Sequence, residues 1–193
     1  MKRLFSQRPF VLFCLLLASL LLAPLLIQSS IAQSTDEGFK PTTVILVRHA
    51  EKADAPREDP PLTEAGAARS QKLASLFTNA GIKAIYTSQF LRTKQTAEPL
   101  AKQLGLTVKT LTIQSKKSNP REVSEESIRL IVDEIMKHAG DTALVVGHSN
   151  SVPDVIKMLG GDVVPVIDEK RFDDLFIVTL YAKGKAKVVQ LKY

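Results

Sequence analysis

Residues 42–52 read TTVILVRHAEK. Thr42–Val47 is a β-branched apolar run of the length of a buried strand. It runs without a break into Arg48 and His49, a cation and an imidazole that do not suit an apolar core yet hang directly from one. Glu51–Pro61 is charged and contains Pro56, Pro60 and Pro61, which makes it a loop. Buried strands of this kind belong to α/β sheets covered on both faces, and their ligand sites lie beyond the carboxyl ends of the strands.

The same punctuation repeats downstream. Thr63 caps a helix expected to run to about Asn79 and to stop at Gly81, with Ala67, Leu73, Leu76 and Phe77 on its apolar face. Lys83–Thr87 reads as a second strand, followed by a helix over about Phe90–Gln103 that Pro99 would kink or split. Leu106–Ile113 is a third strand, and Gln114–Glu122 is polar and loop-like. Ser124–Ala139 is expected to be a helix, with Ile128, Ile131, Val132, Ile135 and Met136 on one face. Ala143–Val146 is a fourth strand, Ser151–Leu159 a short helix, and Leu175–Ala182 with Lys185–Gln190 a closing hairpin. Alternation of strands and helices predicts an α/β three-layer sandwich, with a mostly parallel central sheet and helices on both faces.

The first 32 residues read as an address. Lys2, Arg3 and Arg8 precede Phe10–Ile27, an uncharged Leu-rich run, and Ser30 and Ala32 are small residues suited to cleavage before Gln33. A secretory signal over 1–32 is expected, with an uncleaved anchor through residues 10–27 as the alternative. Either way residues 42–193 form the functional domain outside the cytoplasm, in the periplasm or the extracellular space, after a polar linker at 33–41. The chain of 193 residues carries 26 basic and 20 acidic side chains; without Lys2, Arg3 and Arg8 the balance is 23 to 20. The basic excess therefore gives no argument for nucleic-acid binding, and a chain without Trp offers little stacking surface for single strands. The lone Cys14 excludes an internal disulfide and a Cys-rich zinc site. No His-x-x-x-His pair suggests a metal, and no cofactor is expected.

Three strand ends carry the chemistry. The first leads into Arg48-His49, the second into Thr87-Ser88 and then Arg92, the fourth into Gly147-His148. Two arginines and two histidines converging on one pocket suit an oxyanion, with phosphate the natural candidate. His138, in the last turn of a helix, instead suits the helix dipole.

These residues carry a family resemblance. Leu46–Lys52 (LVRHAEK) resembles the Arg-His signature of the histidine phosphatase superfamily, which includes phosphoglycerate mutases and acid phosphatases. Pro61–Gly66 (PLTEAG) is similar to its helix opening, Tyr86–Ala97 (YTSQFLRTKQTA) to its second-arginine segment, and Val146–Asn150 (VGHSN) to its second-histidine motif. The resemblance implies a phosphoglycerate mutase-like fold. It also implies a metal-independent phosphatase for a phosphate monoester or a phosphohistidine, with His49 as the nucleophile that becomes phosphohistidine. Arg48, Arg92 and His148 would hold the phosphoryl oxygens, and a backbone carbonyl would hold the other ring nitrogen of His49. The partner would be a phosphorylated small molecule or a phosphorylated surface group. The alternatives are a non-catalytic phosphate-binding or interaction module on the same fold, and a phosphomutase. The proton donor to the leaving group is left open between Glu51, Glu122, Glu125 and Glu126. The acid phosphatase branch has Asp directly after its second histidine, and here Ser149 stands there.

Overall fold

The computed structural model describes residues 39–193, so the expected signal or anchor, its cleavage point and Cys14 lie outside the described residues. Strand β1 (Thr42–Arg48) opens the fold, followed by helix α1 (Glu64–Phe77), β2 (Ile82–Ser88), α2 (Leu91–Leu104) and β3 (Val108–Leu111). Helix α3 (Glu125–Met136), β4 (Thr142–Gly147), α4 (Ser151–Met158), β5 (Asp174–Ala182) and β6 (Lys185–Lys192) complete it. The strands form one sheet in the order β3-β2-β4-β1-β5-β6. β1, β2, β3 and β4 are mutually parallel, and the hairpin β5–β6 adds antiparallel to β1. The fold is therefore the expected α/β sandwich with a mostly parallel sheet.

Alternation along β1 sends its side chains to two separate cores. Val44 and Leu46 join Val145, Phe176 and Val178 beneath α3 and α4, where Ile128, Ile131, Ile135, Val155 and Ile156 are buried. Ile45 and Val47 join Ile85, Leu144 and Val146 beneath α1 and α2, where Leu73, Ala74, Ala97 and Leu100 are buried. Both faces are thus dry, and polar side chains gather where the parallel strands end.

Several local expectations shift. The buried stripe of α1 is Gly66, Ser70, Leu73 and Ala74, while Leu76 is exposed. The helix is turned so that Gly66 faces the backbone of Glu51, where an added Cβ would run into the carbonyl oxygen. Thr63 is the cap as expected, its hydroxyl accepting from Gly66 N at 3.1 Å. Helix α2 runs through Pro99 without splitting. β3 is shorter than Leu106–Ile113, because Leu106 N closes the preceding helix on Ala101 O and Ile113 N is taken by the Gln89 side chain. Helix α3 stops at Met136 rather than Ala139, and turn hydrogen bonds carry the chain on to Gly140, whose φ is positive.

Candidate functional site

The pocket lies at the carboxyl ends of β1, β2 and β4, a cavity of about 290 Å³ whose lining includes Arg48, His49, Lys52, Phe90, Arg92 and His148. The sheet register brings these together. Arg48 pairs with Gly147 across β1 and β4, and His49 N donates to Gly147 O at 2.9 Å. The two imidazole rings consequently stand edge to face, 5.4 Å apart. Gly147 permits the tight turn from β4 into α4, since a Cβ there would lie 2.8 Å from Ser151 Oγ.

His49 is buried, and its Nδ1 lies 2.8 Å from Ala50 O. A carbonyl only accepts, so Nδ1 carries the proton and Nε2 keeps its lone pair. Burial, reinforced by the charges of Arg48, Arg92 and Lys52 and opposed by the Ala50 hydrogen bond, pushes the His49 pKa down to about 3. The ring is therefore neutral at neutral pH. The loop that carries it is tied on two sides: Ala50 N donates to Thr96 Oγ1 of α2 at 3.0 Å, and Glu51 O accepts from Thr63 N at 2.9 Å.

His148 is also buried, its Nε2 2.9 Å from Ser88 Oγ and its Nδ1 3.5 Å from Arg92 Nη2. Burial first, then His49, Arg92 and Arg48, hold its pKa well below the usual imidazole value. The Ser88 hydroxyl can donate or accept, so it serves either tautomer of this ring. Phe90 stands at 90° to the His148 ring and also carries the Arg92 guanidinium 4.3 Å above its centroid.

Arg48 is held from below. Its Nη1 donates to the carbonyls of Asp168, Glu169 and Arg171 at 3.0, 2.7 and 3.0 Å, and its guanidinium lies 4.2 Å over Phe172. The Nε–H groups of Arg48 and Arg92 are both buried and have no partner among the described residues. Burial lowers the pKa of each arginine, yet both remain cationic because the starting value is so high. An unpaired buried donor on a cation costs roughly 1–3 kcal/mol or more until an acceptor arrives. Two such donors beside two neutral imidazoles make a site for a tetrahedral oxyanion.

The family model for the histidine phosphatase superfamily (branch 1) matches residues 44–113, which hold Arg48, His49 and Arg92. Over those residues the chain is similar to the histidine phosphatase superfamily. No curated protein matches it significantly. Among solved structures, the chain is similar to a protein histidine phosphatase SixA complexed with tungstate, at 20% identity over 78% of this chain and 96% of that one, with a TM-score of 0.60. It is also similar to a phosphoglycerate mutase from Bacillus anthracis str. Sterne, at 16% identity over 81% of this chain and 95% of that one, TM-score 0.61. A mycobacterial glucosyl-3-phosphoglycerate phosphatase shares 13% identity over 80% and 99% of the two chains, TM-score 0.59. At these identities the likeness is one of fold.

The four carboxylates expected near the pocket lie elsewhere. Glu51 is turned away to Arg69, which donates to both its oxygens at 2.7–3.0 Å. Burial pushes the Glu51 carboxyl up, but the Arg69 hydrogen bonds prevail and its pKa is lowered overall. Glu122 is held by Lys116 and Asn119, Glu125 pairs with Arg129 on the surface of α3, and Glu126 sits in the first turn of that helix. None of the four lines the pocket. The residues that sequence reasoning missed are Ser88 as the partner of His148, Phe90 and Phe172 as the supports of the two arginines, and Glu169. Ser88 was within reach of a sequence reading, because it ends a strand whose neighbour ends at His148. Glu169 and Phe172 carried no such signal.

Proposed function

We propose that the domain is a metal-independent phosphatase that hydrolyses a phosphate monoester or a phosphohistidine through a phosphohistidine intermediate on His49. The observation that carries this reading is the pair of unsatisfied Nε–H donors on Arg48 and Arg92 beside a neutral His49 whose Nε2 lone pair is free. A phosphoryl group entering the pocket supplies acceptors to both arginines. Arg92 turns Nη2 from the His148 Nδ1 that it faces onto a phosphoryl oxygen, and His148, shifted to its Nδ1–H tautomer with the Ser88 hydroxyl donating to Nε2, donates to a second one. Nε2 of His49 then attacks phosphorus, and the bond from phosphorus to the leaving atom breaks. The electron pair goes to that atom, which takes up a proton from solvent, and the attacking water of the second step returns one to solvent. The positive charge that develops on the imidazole is stabilised by the Nδ1–H bond to Ala50 O. Water attacks the phosphohistidine in the second step, the P–N bond returns its electrons to Nε2, and inorganic phosphate leaves. Positioning and charge complementarity suffice for such a transfer. Removal of one donor of this kind costs about 3 kcal/mol of transition-state stabilisation in other enzymes.

We further propose that residues 1–32 direct the chain out of the cytoplasm, so that its substrate is a phosphorylated small molecule or surface group in the periplasm or beyond.

The test is a rapid-quench experiment with a 32P-labelled aryl phosphate. Wild-type protein should trap an acid-labile, base-stable phosphoenzyme and turn over unchanged in EDTA. His49→Ala should form none and lose turnover, and Arg92→Ala and His148→Ala should each lose about a hundredfold or more. Full turnover by His49→Ala, or loss of activity in EDTA with rescue by one metal, would overturn the reading.

A further inference from the structure

Among the described residues, Glu169 is the one carboxylate on the pocket wall. Its two oxygens are both engaged there, Oε2 at 3.0 Å from Arg48 Nη2 and Oε1 at 2.5 Å from the Ser149 hydroxyl, which donates to it. Nη2 and the unpaired Nε form the free edge of the Arg48 guanidinium, while Nη1 is spent on three backbone carbonyls. That edge is the one with which a guanidinium grips an oxyanion side-on. A carboxylate therefore already sits on one of the two donors that a phosphoryl group would take. The backbone beneath it is fastened: the carbonyls of Asp168, Glu169 and Arg171 are held by Arg48, and Phe172 stacks under the same guanidinium. The Glu169 side chain itself is 77% exposed. It can rotate into solvent without moving the loop, and an ion pair so exposed is weak enough to be displaced.

We propose that Glu169 is an internal ligand of the oxyanion pocket, which a phosphoryl group must displace from Arg48 and Ser149 in order to bind, so that Glu169 sets the affinity for substrate phosphate and for product. This rests on the phosphatase reading of the pocket. The displaced carboxylate no longer offsets the charge of Arg48, and the incoming phosphate takes over that role. Because the same side chain returns as phosphate leaves, it speeds product release and guards the buried cation between turnovers.

Orthovanadate binding to the full-length chain, measured by isothermal titration calorimetry, tests the proposal independently of turnover. Glu169→Gln keeps the side-chain shape and removes the charge. It should bind vanadate about five- to twentyfold more tightly than wild type and lower KM for an aryl phosphate by a similar factor, with kcat unchanged or reduced. Asp168→Asn is the electrostatic control. Asp168 also acts on Arg48 through its charge, but its side chain bonds to the backbone of Lys170 and makes no contact with the guanidinium. It should change vanadate affinity by less than about twofold. Unchanged or weakened binding by Glu169→Gln would overturn the proposal, as would an equal gain in Asp168→Asn, which would make the effect one of general charge. If wild type and Glu169→Gln both bind no vanadate, the oxyanion reading of the pocket fails and the proposal falls with it. Vanadate binding by wild type with no gain in Glu169→Gln overturns the internal ligand alone.

Discussion

At the scale of residues, the site works by withholding protons. His49 and His148 are buried beside two guanidinium groups, and both effects act against the imidazolium. In the unfolded chain each histidine titrates near its ordinary value of about 6.5. Between that pH and the folded value of about 3 for His49, the unfolded state binds a proton that the folded state refuses. Stability contributed by a neutral His49 is therefore complete above pH 6.5 and is lost as pH falls towards 3, at up to about 1.4 kcal/mol per pH unit. The charge of Arg48 cannot be titrated away in this range, so its pressure on the ring persists throughout. His49→Gln, which cannot titrate, should show a shallower fall in unfolding free energy from pH 6 to pH 4 than wild type, measured by urea denaturation at each pH. Parallel curves for the two proteins would mean that His49 is protonated in the fold.

At the scale of elements, the loop that carries His49 depends on two helices that hold it in place from outside. Helix α1 presses Gly66 against the Glu51 carbonyl, and helix α2 gives Thr96 Oγ1 to Ala50 N while its Arg92 faces the pocket. The Thr96 hydroxyl in turn donates to Arg92 O at 2.7 Å, so one side chain links the His49 loop to the backbone of the second arginine. Gly66→Ala forces either α1 or the Glu51 peptide to move, because the clash is with backbone and no rotamer relieves it. Overpacking of this kind costs about 1–3 kcal/mol. The variant should lose that much stability in urea and also lose turnover out of proportion to its folded fraction. Stability within about 0.5 kcal/mol of wild type would show that the contact is not what seats the loop.

At the scale of the whole molecule, the sandwich buries both faces of the sheet, and the ends of the parallel strands are where its buried polar groups meet. Which molecules can reach this pocket depends on where the chain resides. If residues 1–32 are an export signal, N-terminal sequencing of protein from the extracytoplasmic fraction should begin at Gln33. Soluble cytoplasmic protein retaining Met1 would refute export, and membrane-bound protein retaining it would select the anchor over 10–27.

Strand and helix positions were legible because their signals are local. A β-branched run ending in Arg48-His49 and a Thr63 cap each act over a few residues, and the structure realises them within a residue or two. The same locality exposed Arg48, His49, Arg92 and His148, since each stands at or within a few residues of the end of an apolar strand. The details that failed were those set by contact with distant chain: the face of α1, turned by the Glu51 backbone, and the end of β3, drawn off by Gln89. The placing of the carboxylates was set in the same way. Glu51 stands two residues from His49 in sequence but is captured by Arg69, whereas Glu169 lies 121 residues from Arg48 and meets it only because the chain between α4 and β5 crosses the strand ends. Sequence by itself determined which side chains hang from the sheet, because periodicity and capping are properties of neighbours along the chain. Tertiary structure alone decided which charges meet, because Coulomb and hydrogen-bond energies depend on distances in space that no local pattern encodes.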